Sequence, residues 1–337
     1  MNARERVMAV FDRNSDGTGA FWTGHPNDAI LPILSRAWGI DASREAVYDY
    51  LNDDCRWFYA DGGYRHPAGL PALDPAWGMG GRATLSAGGC FAEAETIADI
   101  ERYPWPDPVH LDFSDIYAQI RAYPDKAVFS GMWSPFFHNV ADFFGMEEYF
   151  VKMYENPAVV EAVTEKVTDW YVAAGDRFFS GLESGCDILF FGNDFGTQRD
   201  LILSPELFRR FVLPSFKRII ALGRKHGKRI LLHSCGSIHR IIPDLIEAGV
   251  DALHPIQAAA TGMDARSLAA FKDDLAFVGG IDAQSFFVQA TPAQIRDEVL
   301  RVRDVLGPNL VVSPSHEEIL PNVPPENILA MARAARE

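Results

Sequence analysis

The chain has 337 residues, 48% hydrophobic and 23% charged, an ordinary globular balance with ample material for a large core. Its 31 basic against 46 acidic residues leave a net charge of −15, which argues against a nucleic-acid partner, and against a heavily anionic substrate unless arginines are concentrated locally. No apolar run approaches the roughly 18 residues needed to cross a bilayer, and Cys55, Cys90, Cys186 and Cys235 form no Cys-x-x-Cys, as expected of a reduced cytoplasmic protein.

Met1-Asn-Ala-Arg-Glu-Arg6 is charged and opens an amphipathic helix over 3–12, rather than a signal peptide. Gly19 to Gly24 reads as a strand, and helical patterns follow at about 27–38 and 44–52. Residues 53–92 differ: Trp57, Phe58, Tyr59, Tyr64, Trp77 and Met79 cluster around glycines, which points to hairpins packed over a cavity rather than a disordered loop. A helix is expected from Glu93 to Tyr103, then a stiff Pro-rich connector to Pro108.

From about 110 the chain alternates. Strands are expected at 127–130, 186–191, 229–232, 252–254, 275–278 and 310–312. Between them come helices at 113–123, 137–144, 146–154, 156–183, 204–225, 238–248, 264–272 and 292–305, with a last one from Pro325. Short buried strands alternating with helices indicate parallel βα units. These six strands, the one near residue 20 and one more in the weakly periodic part predict an α/β fold, a (β/α)8 barrel with inserted N-terminal elements. A doubly wound open sheet is the runner-up; no Gly-x-Gly-x-x-Gly follows the first strand to support a dinucleotide site.

Barrel chemistry sits at the carboxyl ends of the strands, and there the chain is rich in polar residues. The central example is Arg229 to Arg240, where Ile230, Leu231 and Leu232 are followed at once by His233, Cys235 and Gly236. Residues i and i+2 of extended chain point to one side, so an imidazole and a thiol can reach one ion, and zinc favours that pair. The alternative is a hydrogen-bonded His and a buried Cys that merely finish a strand. A catalytic zinc needs a third protein ligand, and His316, after the last strand, can supply it, with Asp194, Glu317 and Glu318 in reserve. Cys186 lies at a strand start, the wrong end. Asp194, Asp282 and Glu317 are the candidate catalytic carboxylates, although Asp194 and Asp282 can equally be helix or turn caps. Asn193, Gln198 and Gln257 are the candidates for cofactor contacts. His25, His138, His239 and His254 read as structural.

Gly192-Asn-Asp-Phe-Gly-Thr-Gln198, Leu232-His-Ser-Cys-Gly236, Gly279-Gly-Ile-Asp282 and the segment from Pro314 to Asn327 resemble, in order and spacing, the uroporphyrinogen decarboxylase superfamily over roughly residues 115–337. The resemblance implies a distorted (β/α)8 TIM-type barrel with N-terminal helical and hairpin additions. It implies a single domain over 1–337, with the additions and first strand in about 1–110 and the main repeats in about 111–337. It also implies one of two activities: cofactor-free decarboxylation of a porphyrinogen, or cobalamin-dependent methyl transfer, in which His-x-Cys and a later Cys hold zinc. The decarboxylases open with an arginine-rich Arg-Gln-Ala-Gly-Arg loop, where this chain has Phe21-Trp-Thr-Gly-His-Pro26 without arginine. His233-x-Cys235 looks like the methyltransferase branch, and on that basis both are expected to bind zinc. The later Cys is replaced by Ser315-His316, and a histidine there is also common among the decarboxylases.

The expectation is therefore a zinc-dependent methyltransferase that moves a methyl group between a small donor or acceptor, a thiol or methoxylated compound, and a corrinoid protein. The corrinoid would arrive on a separate partner, since no Asp-x-His-x-x-Gly occurs. One alternative is a decarboxylase of uroporphyrinogen III or a smaller acid. Another is a non-catalytic corrinoid- or metal-binding accessory protein. A homodimer is expected by analogy alone.

Overall fold

The computed structural model describes residues 1–60 and 87–337. Ten strands occur among them: β1 (Ala20–Phe21), β2 (His25–Pro26), β3 (Cys55–Tyr59), β4 (Ala127–Gly131), β5 (Ile188–Gly192), β6 (Arg229–His233), β7 (Ala252–Ile256), β8 (Ala276–Ile281), β9 (Leu310–Pro314) and β10 (Glu318–Ile319). Eight are parallel in one sheet of order β1-β9-β8-β7-β6-β5-β4-β3, with β2 and β10 paired beside it. The sheet curls into a nearly closed barrel with helices between the strands, the predicted TIM-type α/β fold. At the seam Asp54 N–H donates to the Phe21 carbonyl at 3.1 Å, and the Asp54 carboxylate accepts the Phe21 N–H at 2.8 Å. A side chain thus supplies part of the link between β1 and β3.

Strands covered on both faces read as continuous apolar runs. In β5, Ile188 and Phe190 point into the barrel, while Leu189 and Phe191 pack outward beneath the helices. The interior is filled by Ala20, Trp22, Phe129, Phe190, Leu231 and Val278 with smaller neighbours, so it is a packed core rather than a channel. The first helix, Ala3–Phe11, starts at an Asn2–Glu5 capping box and closes the amino-terminal mouth with Val7, Val10 and Phe11. Arg4 on this helix pairs with Asp187, just before β5, at 2.7 Å.

Three elements differ from expectation. The helix expected over 93–103 shrinks to Ile97–Glu101, because Thr96 caps it with Asp99 and Pro104 prevents its continuation. The long helix after Ser204 contains a wide turn at Phe208–Val212 before Leu213–Lys225 resumes; Pro214 brings no N–H to the ladder there. Within 53–92, Cys55–Tyr59 is a barrel strand rather than a hairpin arm, with Trp57 against the interior and Phe58 against the outer layer. Tyr64, Trp77 and Met79, half of the residues named for the expected aromatic cluster, lie outside the described residues. Among the described residues no helix is long and apolar enough to cross a membrane.

Candidate metal centre

His233 ends β6 and His254 lies on β7, and the register sets the two side by side. Leu231 and Ala252, two residues earlier, point into the barrel, so both imidazoles point inward too, at its carboxyl end. Aromatic rings form the floor: Trp133 lies 5.2 Å from the His233 ring, while Trp22 and Phe190 lie 5.1 and 5.3 Å from that of His254. Both histidines are buried.

Donors converge on His233 from four strands, β5, β6, β7 and β9. Its Nε2 is 3.3 Å from Asp194 Oδ1 and 3.5 Å from Cys235 Sγ. Its Nδ1 is 3.1 Å from His254 Nδ1 and 3.7 Å from Glu317 Oε2. Asp194 is fixed twice. Its Oδ1 accepts the Cys235 N–H at 2.8 Å, and its own N–H donates to His138 Nε2 at 2.9 Å. Ser234 Oγ accepts the Phe195 N–H at 3.0 Å, which ties the β5 and β6 loops together.

The electrostatics follow from this packing. Burial pulls the His233 pKa down, but the hydrogen bonds to Asp194 and Cys235 and the charge of Glu317 outweigh it and lift the value to about 10. Burial alone would raise Asp194; its hydrogen bond to His233 and the charge there bring it down to about 2. Burial raises Cys235 against the opposing pull of His233. Burial, then the charges of His233 and His316, push His254 well below the ordinary histidine range. The centre therefore favours one positive charge at His233 beside a carboxylate, with a neutral imidazole next door.

Among the described residues, two groups of ligand atoms lie within 4.8 Å of one another: Asp194, His233 and Cys235, and separately His233, His254 and Glu317. The first combines oxygen, nitrogen and sulfur, a donor set that suits zinc. A metal cation here would displace the protons of His233 and Cys235, since zinc is bound by neutral imidazole and thiolate.

His316 stands outside both groups. Its Nδ1 accepts the Glu318 N–H at 3.0 Å, and it lies 3.7 Å from Glu317 Oε2. It lines a cavity of about 190 Å³ together with Gln257, Phe287, Leu320 and Asn322. Asp282 spends its carboxylate on the N–H groups of Gln284, Ser285 and Phe286, the cap that was one of its two readings. Asn193 is buried, accepts the Phe137 N–H and donates to the Ser134 carbonyl, both at 3.0 Å. Gln198 is exposed. Gln257 accepts the Gly236 N–H at 2.6 Å and so braces the turn after Cys235. His254 and His138 had been read as structural, yet each contacts a member of the first group. The structure orients His254 inward because it sits two residues after Ala252, whose side chain belongs to the barrel interior.

A parallel βα barrel that gathers side chains able to ligate a metal at its carboxyl end defines the class as a barrel protein of enzyme type. The sequence model of the family described as uroporphyrinogen decarboxylase (URO-D) matches residues 73–337, and the chain belongs to that family. No curated protein matches it significantly. Among solved structures it is similar to a methyltransferase from Methanosarcina mazei, with a TM-score of 0.69 and 14% sequence identity over 99% of this chain and 98% of that one. At that identity the likeness shows the fold.

Proposed function

We propose that this chain is a zinc-dependent methyltransferase of the URO-D family, transferring a methyl group between a small thiol or methoxylated compound and a corrinoid carried by a partner protein. The observation that carries the reading is the close approach of Asp194 Oδ1, His233 Nε2 and Cys235 Sγ at the barrel mouth. The likeness to a solved methyltransferase over nearly the whole chain supports it. Asp194 takes the third-ligand role that the sequence assigned to His316. When bound, zinc supplies Lewis acidity that lowers the pKa of a thiol or polarises a methyl donor.

The chain's own residues do the rest. Asp194 orients the Cys235 backbone and faces His233; His138 and Ser234 hold the β5 loop that carries it. His254 Nδ1 accepts the Nδ1 proton of His233, which leaves His233 Nε2 free for the metal. Trp22, Trp133 and Phe190 exclude water from below, which strengthens the electrostatic interactions above them.

Elemental analysis of protein purified without added metal tests this reading. About one zinc or more per wild-type chain, and less in Cys235→Ala, supports it and selects methyl donors with free corrinoid as the next assay. A wild type that takes up no zinc even when supplied overturns it. The family description favours a second reading, cofactor-free decarboxylation, which predicts full activity in metal-free protein. A homodimer is proposed by analogy, to be read from the mass in solution.

A further inference from the structure

The His233 ring faces a different donor set from each nitrogen, and the Nδ1 side has an unbalanced charge. Glu317 Oε2 is buried and has no hydrogen-bond partner among the described residues. Its two nearest candidates are committed elsewhere: His316 Nδ1 accepts the Glu318 N–H, and His233 Nδ1 lies closer to His254 Nδ1, at 3.1 Å. A buried carboxylate oxygen without a donor is costly unless a cation faces it. The separations of His233 Nδ1 from His254 Nδ1 (3.1 Å) and from Glu317 Oε2 (3.7 Å) bracket the distance between neighbouring ligands on tetrahedral zinc, about 3.3 Å for bonds of about 2.0 Å. Two histidines and a glutamate are also a donor set that open zinc sites use.

We propose that His233 Nδ1, His254 Nδ1 and Glu317 Oε2 form a second divalent-cation position, joined through the His233 ring to the position at Asp194 and Cys235. The bridging rests on the zinc reading above. The entering cation replaces the proton between the two Nδ1 atoms. That proton leaves to solvent, His233 becomes a bridging imidazolate, and the Glu317 carboxylate offsets the added charge. The fourth direction stays open for water or a substrate oxygen.

Zinc titration of the metal-free full chain, followed by calorimetry and elemental analysis, tests the proposal. Two zinc ions per wild-type chain are expected, with one remaining in Glu317→Gln and one in Cys235→Ala. Cobalt distinguishes the positions, since the near-ultraviolet thiolate charge-transfer band persists in Glu317→Gln and vanishes from Cys235→Ala. His254→Asn repeats the count if Glu317→Gln folds poorly. One zinc per chain, lost in Cys235→Ala and unchanged in Glu317→Gln, overturns this second position and leaves the methyltransferase reading standing. One zinc lost equally in both variants means a single ion drawing on both sets, and also overturns it. No zinc in the wild type overturns both.

Discussion

His233 and His254 point their Nδ1 atoms at each other across 3.1 Å, from paired positions on neighbouring parallel strands. Only one of the two can carry the shared proton. Burial and the charge of its neighbour depress His254, while Asp194 and Cys235 sustain charge on His233, so the pair is polarised by its surroundings. The metal reading depends instead on geometry: the ring turns Nε2 toward Asp194 and Cys235, and a bound ion would take the place of the proton there.

Asp194 rather than His316 should govern zinc affinity at the first position. Asp194→Asn keeps an oxygen for the Cys235 N–H but removes the charge, and zinc affinity should fall by about tenfold to a hundredfold. His316→Ala should leave affinity within a factor of about three, since its Nδ1 already serves the Glu318 N–H. Competition with a chromophoric chelator measures both; a larger loss in His316→Ala would restore His316 as a ligand.

Phe190→Ala should be among the most destabilising single changes. The ring is buried and packs on Trp22, Trp133 and His254 at 5.9, 5.2 and 5.3 Å. Its truncation opens a cavity in the middle of the barrel, at a cost of about 3–5 kcal/mol. Urea unfolding gives the value, and a cost under about 1 kcal/mol would mean that the floor collapses without loss.

Gly24→Ala should loosen the loop that carries Glu317. Gly24 has φ +85°, and an added Cβ would meet the Glu317 carbonyl, to which the His25 N–H donates. The left-handed backbone alone costs about 1–2 kcal/mol for a residue with a Cβ, before the clash is counted. A lowered melting temperature is expected, and an unchanged one would show that the loop yields freely.

Asp53 should impose a pH dependence on stability that is independent of the metal centre. Its carboxyl is wholly buried, and burial raises its pKa to about 6 against the hydrogen bonds from the Cys55 and Thr23 N–H groups. The folded value exceeds the unfolded one, so the folded state binds more protons between pH ~4 and ~6. This contribution is fully present below pH ~4, is lost as pH rises through ~6, and amounts to about 3 kcal/mol. The difference in stability between wild type and Asp53→Asn, measured in urea across that range, should shift by that amount in the direction of relative loss for the wild type. A constant difference would show that Asp53 keeps an ordinary pKa.

The alternation of strands and helices after residue 110 was legible because period and length are local properties. The position of the barrel strand at Cys55–Tyr59 was not, because aromatic side chains lie on both its faces, the buried Arg56 interrupts the apolar run, and no alternation results. The pairing of His233 with Cys235 was legible for the same local reason, two residues apart at the end of an apolar run. Asp282 was legible in part, since a cap and a catalytic carboxylate look alike until the donors of its hydrogen bonds are known.

The sequence by itself determined the class of fold and one edge of the centre, through periodicity and the i, i+2 geometry of extended chain. Only the tertiary structure decided which residues complete the centre. Strand register, invisible in a single sequence, set His254 against His233 and brought Asp194 in from β5. The loop after β9 turned Glu317 inward, while the Glu318 N–H engaged His316 Nδ1. Contacts across a barrel depend on closure and register, and those are fixed by the packing of the whole ring of strands.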